Sequence, residues 1–276
     1  MAGLLRASVV VFSFLMGALP AYAVSQPCQL LDGPDLMNAV TGMQAELAKP
    51  KADQDMRVIL MRRSEIAYLN GNSAALRLWT LRLAEREDFR ALAQETQGQI
   101  LFEMAMWAAE LEPTGQSYVS AASLAVDPGD KVFWQGRAAA AMGDLAGVEA
   151  ALRALRDPLS GGIVMADAAR FMDDRKLAAN AVAVLEPLIG RLNWQCEPKA
   201  LGDALTALAQ AEMTLGRLED GMESIKLALR SFDQHLYPAF WARAARKLKR
   251  LMAGACKAGD GAACTYADYF KEIGVH

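Results

Sequence analysis

The sequence predicts an all-α fold in which antiparallel helical hairpins stack around one continuous core. Three observations carry this. Apolar residues recur at helical spacing through almost the whole chain beyond its N-terminal segment. No stretch shows a convincing alternation of apolar and polar residues with the period of a strand, and Asn-Gly hairpin signals lack flanking strands. The breaks fall near residues 71, 113, 143, 174, 216 and 258, at intervals of roughly 30 to 42 residues, the period of helical-hairpin solenoids. With 276 residues, 53% hydrophobic and 22% charged, the chain can bury a sizeable core.

The elements follow in order. Residues 35–49 read as a helix that stops at Pro50, and 55–69 as a second, ended by Asn70-Gly71-Asn72. Gly71 suits the left-handed position after a helix, so the third, 73–86, turns back on the second. A longer helix spans 89–111 and ends before Pro113; 115–126 follows and stops at Asp127-Pro128. Helices 131–142 and 145–155 flank the Gly143-Asp144 turn, and 161–172 and 176–192 flank Asp173-Asp174, with a kink expected at Pro187. "DPLSGG" (157–162) reads as a turn that starts a helix, because no strand precedes it. Helices 199–215 and 218–232 form a further pair, Pro238 opens a helix reaching Cys256, and 262–273 is the last. Residues 24–276 are thus expected to form one domain, with a soft boundary near 193–199.

The first residues have a different character. "MAGLLRASVVVFSFLMGALPAYA" places Arg6 before an apolar run, a break at Pro20 and an A-x-A motif at Ala21-Tyr22-Ala23. This is the form of a signal peptide, cleaved after Ala23 so that the mature chain starts at Val24. Pro27 before Cys28 argues against lipid attachment there. Beyond this leader no apolar run reaches the roughly 20 residues of a membrane span. The leader carries Arg6 and no acid, so its removal moves the formal charge from -3 to -4. A mildly acidic chain has no general attraction for nucleic acid or an anionic membrane. The expected location is the bacterial periplasm, or secretion.

Export makes disulfides expected. Cys256 and Cys264 are separated by seven residues around a Gly-Asp-Gly turn. Zinc sites pair shorter spacings with further Cys or His. Here the two histidines, His235 and His276, lie near neither cysteine pair in sequence. A tight helix-turn-helix brings such positions to disulfide distance. Cys28 and Cys196 can then only join each other or stay free, and the expectation is that they join.

Some segments resemble tetratricopeptide repeats. "SAASLAVDPGDKVFW" (120–134) is similar to the junction between two such repeats, with Pro128 as the junction proline and Trp134 as the aromatic of the next helix. "LTALAQAEMTLGRLEDGMESIKLALRSF" (205–232) resembles a whole repeat, with Leu208, Ala209, Gly216, Leu218, Gly221, Ile225, Ala228 and Leu229 at its packing positions. Gly221 stands where alanine is usual and Glu212 where an aromatic is common. The final "ACKAGDGAACTYADYFKEIG" is similar to the cysteine-bearing half of Sel1-like repeats, which use the same staple. These likenesses cover about a third of the chain. They imply a right-handed superhelix that binds partners, with the first helix of each hairpin lining its concave face. Arg137, Asp203, Thr206 and Gln210 would point there. Small residues such as those of "GRAAAAMGD" allow the close stacking that lets hairpins share a core.

No motif fixes a chemistry. The chain has no G-x-S-x-G, no H-E-x-x-H and no phosphate-cradling Gly loop before a lysine. Neither metal nor cofactor is expected. Glu103, Glu110 and Glu112 could form an acidic edge, and a carboxylate pair is the minimum for glycan cleavage; a solvated helix face is the ordinary reading. Trp79, Trp107 and Trp134 are expected as core anchors. In "FWARAARKLKRL" (240–251), Phe240, Ala244, Leu248, Leu251 and Ala255 face the core by spacing, leaving Arg243, Arg246, Lys247 and Arg250 as a basic stripe. That stripe is either solvated or a docking site for an acidic partner or anionic envelope polymer. The expectation is a non-catalytic periplasmic adaptor that binds a peptide segment or another envelope protein. The alternatives are an α-helical carbohydrate-active enzyme, or its accessory superhelix, and a regulator that responds to disulfide reduction.

Overall fold

The structure is a computed structural model that describes residues 36–265, apart from 194–196, 232–237, 258, 260 and 262. The leader, Cys28 and Cys196 lie outside the described residues, so the expected cleavage and second disulfide do too. The described residues form helices and no strands: α1 (Leu36–Leu47), α2 (Met56–Leu69), α3 (Ser73–Ala84), α4 (Glu87–Arg90), α5 (Gln94–Leu111), α6 (Gly115–Leu124), α7 (Pro128–Met142), α8 (Leu145–Ala154), α9 (Pro158–Met172), α10 (Arg175–Ile189), α11 (Pro198–Thr214), α12 (Leu218–Ser231) and α13 (Pro238–Lys257). None is long and apolar enough to cross a membrane.

Aspartate sets five of the helix starts. The side chains of Asp55, Asp127, Asp144, Asp157 and Asp174 each accept from backbone N–H groups in the first turn of the helix that follows. Those N–H groups have no partner within the helix, and the carboxylate also meets the positive end of the dipole. At 127–128 and 157–158 the Asp-Pro pair begins a helix, three residues ahead of the starts read from periodicity at 131 and 161. Proline is pre-organised for the first helical position, where no N–H is needed. Gly143 (φ 74°) and Asp173 (φ 53°) end α7 and α9 in the left-handed conformation and make the two tight reversals. The helix expected over 89–111 is two: α4 stops at Arg90, and Gln97 Nε2 donates to the carbonyls of Arg90 and Leu92 across the break. Helix α10 runs through Pro187 to Ile189.

Packing follows chain order. Each helix rests on the next, and α7, α9, α11 and α13 also touch in succession, each against the one two places on. This is the pattern of an all-α solenoid. Alanine makes the seams. Ala166, Ala169, Ala178, Ala181, Ala204, Ala207 and Ala211 of α9, α10 and α11 join Leu185 and Leu208 in one cluster. Glycine brings the axes closer still. A Cβ on Gly136 would lie 2.8 Å from Ala151 Cβ and 3.0 Å from Val164, wedged among α7, α8 and α9. Gly136→Leu is therefore expected to destabilise by about 1–3 kcal/mol through overpacking, read as a lower urea midpoint. Gly221, the departure from the repeat pattern, has the same cause. A Cβ there would come within 3.2 Å of the Ala209 carbonyl and 2.9 Å of Met213 Cγ.

The core face of α13 holds Ala244, Leu248 and Met252, which are buried, with Leu251 and Ala255 partly so. Helix α13 ends in the predicted staple. Cys256 and Cys264 are bonded, with Cα atoms 4.7 Å apart, and Gly259 (φ 97°) turns the chain between them. On the loop-entropy account this bridge stabilises the fold by ~2–3 kcal/mol. Cys256→Ser/Cys264→Ser should accordingly lower the unfolding free energy by that amount, read as a lower urea midpoint.

The stack curls until its last described hairpin reaches its first. From α13, Arg246 donates to the Leu69 carbonyl at the end of α2, 3.3 Å away. Arg250 donates to the carbonyls of Leu111 (2.9 Å) and Glu110 (3.0 Å) at the end of α5. The last carbonyls of a helix lack intrahelical donors and carry the negative pole, so an arginine fits there.

Candidate functional site

The curled stack encloses a cavity of about 1340 Å3. One helix of every hairpin supplies its wall, and each does so with residues three or four apart. They are Val58, Met61, Arg62, Glu65 and Tyr68 from α2; Glu103, Met106, Trp107 and Glu110 from α5; and Asp130, Phe133, Trp134 and Arg137 from α7. Helix α9 adds Leu159, Ile163, Asp167 and Arg170, α11 adds Lys199, Asp203 and Thr206, and α13 adds Arg243, Lys247 and Arg250. A single inward stripe per helix is what a 3.6-residue period allows once the other faces are used for stacking.

At the centre lies Asp167, 1% exposed on the inner face of α9. Arg137 Nε donates to its Oδ2 at 2.7 Å, and Gln210 Nε2 donates to its Oδ1 at 2.9 Å. Lys247 Nζ stands 3.9 Å from the same Oδ1. Burial works against the charged carboxylate, but Arg137, then Lys247 and Arg170, hold it well below the usual carboxylate range. Burial likewise opposes the Arg137 charge, and Asp167 with Tyr118 more than restores it. The Arg137 guanidinium donates to Tyr118 Oη at 3.1 Å and lies over the rings of Tyr118 and Trp134, at 4.5 and 4.8 Å from their centroids. Burial pushes the Tyr118 phenol up to about 12. Lys247 moves the other way, down to about 8: burial disfavours the ammonium, Asp167 works against that, and Arg137 and Arg170 add repulsion.

A second group closes the ring. Arg243 of α13 donates to Glu110 of α5 at 2.9 Å and also pairs with Asp203 of α11. Tyr68 of α2 donates to the other Glu110 oxygen at 2.5 Å, and its ring stacks on Trp107 with centroids 5.2 Å apart. Burial, with Glu110 next, holds the Tyr68 phenol protonated far above its ordinary range. At the α2–α5 side, desolvation and then Glu65 raise the Glu103 carboxyl.

Of the residues singled out from sequence, Arg137, Asp203, Thr206, Arg243, Lys247 and Arg250 line this cavity together. Thr206 Oγ1 donates to the Gly202 carbonyl of its own helix. Gln210 is fully buried and ties α11 to the Ala166 carbonyl of α9. The basic stripe of α13 therefore faces inward, onto helix ends and carboxylates of the same chain. Glu110 and Glu112 are each engaged, the latter with Ser73 and Arg77, so with Glu103 they make no acidic edge. Trp134 is buried, Trp107 lines the cavity, and Trp79 is half-buried against Arg63 and Arg82. Asp167 and Arg170 were not singled out from sequence. The available signal was a lone carboxylate and a lone arginine three residues apart inside the apolar "GGIVMADAARFM". Among the described residues no group of three His, Cys, Asp or Glu side chains could hold a metal ion. No family model matches the chain, and no curated protein or solved structure matches it either.

Proposed function

We propose that this chain is an exported, non-catalytic scaffold of tetratricopeptide-like hairpins, closed by a Sel1-like stapled hairpin, that holds a segment of an envelope-protein partner in its interior cavity. The observation that carries this is the cavity wall. Six successive hairpins present one inward stripe each, and those stripes combine aromatic, methionine and charged side chains. Such a mixture is typical of binding sites, where apolar contact supplies affinity and a few placed polar groups supply selectivity. Helical repeats gain an extended concave surface from stacking alone. The capture of Glu110 by Arg243 and Tyr68 and of Glu112 by Arg77 favours binding over hydrolysis, because neither carboxylate is left available for proton transfer.

The test is site-specific photo-cross-linking in the native envelope. A photoreactive residue at Ile163 or Met106, on the cavity wall, should give an adduct with one defined partner segment. The same residue at Glu149 or Lys226, on outward helix faces, should not. Equal adducts from both faces would remove the cavity from the account. Recovery of the mature chain from the periplasmic fraction, with Val24 as its first residue, checks the export part separately.

A further inference from the structure

One wall of the cavity carries more positive charge than the chain itself neutralises. Arg137, Arg170, Lys247 and Arg250 all line it, and the carboxylate among them is Asp167. Arg137 takes that carboxylate at 2.7 Å, while Lys247 stays 3.9 Å from it. The hydrogen bonds of Arg250 go to carbonyls, which carry no net charge. The Nε of Arg170 is buried with no acceptor among the described residues, and its guanidinium lies over the Phe171 ring at 4.2 Å. Asp203, from α11, is held by Arg243 and Lys199. Counting Lys199, Arg243, Asp203 and Glu110 as well, six cations line this wall against three carboxylates, a surplus of three among the described residues. A buried donor without an acceptor is costly, and folding alone gives no reason to set the Arg170 guanidinium among further cations. A ligand that brings the missing charge does.

We propose that the α9–α13 wall is an anion subsite for a phosphate-monoester group carried on an aromatic or apolar body. The proposal rests on reading the cavity as a ligand groove. Charge selects the head group. A phosphate monoester brings about −1.5 to −2 charges and three strong acceptor oxygens, where a carboxylate brings one charge and two oxygens. The guanidinium of Arg170 offers a planar fork and Lys247 a mobile ammonium, the two donor types that bind phosphate. The adjoining wall selects the body: Phe133, Leu159 and Ile163 are partly exposed apolar side chains that line the cavity on α7 and α9.

Calorimetric titration of the full chain with phenyl phosphate, inorganic phosphate and benzoate tests this. Phenyl phosphate should bind at one site, with benzoate at least ~10-fold weaker because it brings less charge and fewer acceptor oxygens, and inorganic phosphate at least ~10-fold weaker because it lacks the apolar body. Lys247→Met and Arg170→Met should each weaken phenyl phosphate by ~10-fold or more, and Arg153→Ala, on an exposed face, should leave it unchanged. Lys247→Met should also unfold at the wild-type temperature or above, because it removes a desolvated cation. As a check on the unmodified chain, phenyl phosphate should protect Lys247 from acetylation and leave the half-exposed Lys226 reactive. Absence of saturable binding, or variants that bind as wild type does, would overturn the subsite. Benzoate binding as tightly as phenyl phosphate would overturn the phosphate assignment, and equal binding of inorganic phosphate would overturn the aromatic body. If partner cross-links from Ile163 persist in any of these cases, the scaffold reading stands without the subsite.

Discussion

Asp167→Asn is expected to be among the most damaging single substitutions in this protein, lowering stability by about 3–5 kcal/mol. Asparagine preserves the shape and can still accept from Gln210, so the loss isolates charge. Without the carboxylate, Arg137 is 12% exposed with Lys247 and Arg170 nearby and no anion to offset them. For a chain of this size, the change corresponds to a fall of roughly 10 °C in unfolding temperature. The pH dependence carries a second signature. The folded state holds the Asp167 carboxyl below its unfolded value, which lies near ~3.9. Its contribution is therefore complete above that value and is lost as pH falls through and below it. Wild type should lose stability more steeply than Asp167→Asn between about pH 5 and pH 2. Parallel curves would mean that the pair contributes no net charge stabilisation. The double change Arg137→Met/Asp167→Leu should recover part of the loss, because Arg137 no longer stands unpaired while Lys247 and Arg170 still lack the carboxylate.

Arg243→Met should be the next most damaging, again by about 3–5 kcal/mol, with an effect on shape as well. Arg243 sits between Glu110 on α5 and Asp203 on α11. Its removal leaves two partly buried carboxylates without their shared cation and releases the contact between the last described hairpin and the first. Asp203, like Asp167, is held below its ordinary range, against burial, with Arg243 the leading cause. Loss of Arg243 should raise it, so the variant should bind more protons when folded and lose less stability on acidification. Amide exchange should rise at the ends of α2 and α5, where Arg246 and Arg250 cap the carbonyls. A radius of gyration and exchange pattern identical to wild type would show that Arg246 and Arg250 hold α13 against α2 and α5 without Arg243.

Short-range contacts explain most of what was readable in advance. Gly143, Asp144, Asp173 and Asp174 punctuate the helices through interactions spanning at most five residues, and each sits at a helix boundary in the structure. The Cys256–Cys264 staple is legible for the same reason, since its sequence separation is 8. The inward set of Arg137, Asp203 and Thr206 came from a repeat likeness that places one helix of each hairpin on the inner face, and these residues line the cavity. Gly221 was legible only as a departure, and the Ala209 carbonyl behind it supplies the cause.

The destination of the basic stripe was not legible. Periodicity showed that Arg243, Arg246, Lys247 and Arg250 share a face of one helix, but it carries no information about what that face meets. The acceptors of Arg243, Arg246 and Arg250 at Glu110, Leu69 and Leu111 lie 133 to 177 residues earlier, and Asp203 and Asp167, the carboxylates beside Arg243 and Lys247, also lie on other helices. Asp167 and Arg170 escaped notice because a single polar residue in an apolar helix reads as an exposed position until its neighbours are known.

The sequence by itself determined the class of fold, the hairpin boundaries, the stapled end and which residues of each helix share a face. All of these are decided by backbone geometry and by neighbours within a turn or two. Tertiary structure alone decided that the stack curls around a cavity, that α13 packs across it, and that Arg137, Lys247 and Arg170 meet around one buried carboxylate. Curvature is the sum of small rotations between successive hairpins, set by the packing of alanine and glycine seams. No local pattern encodes a sum taken over the whole chain.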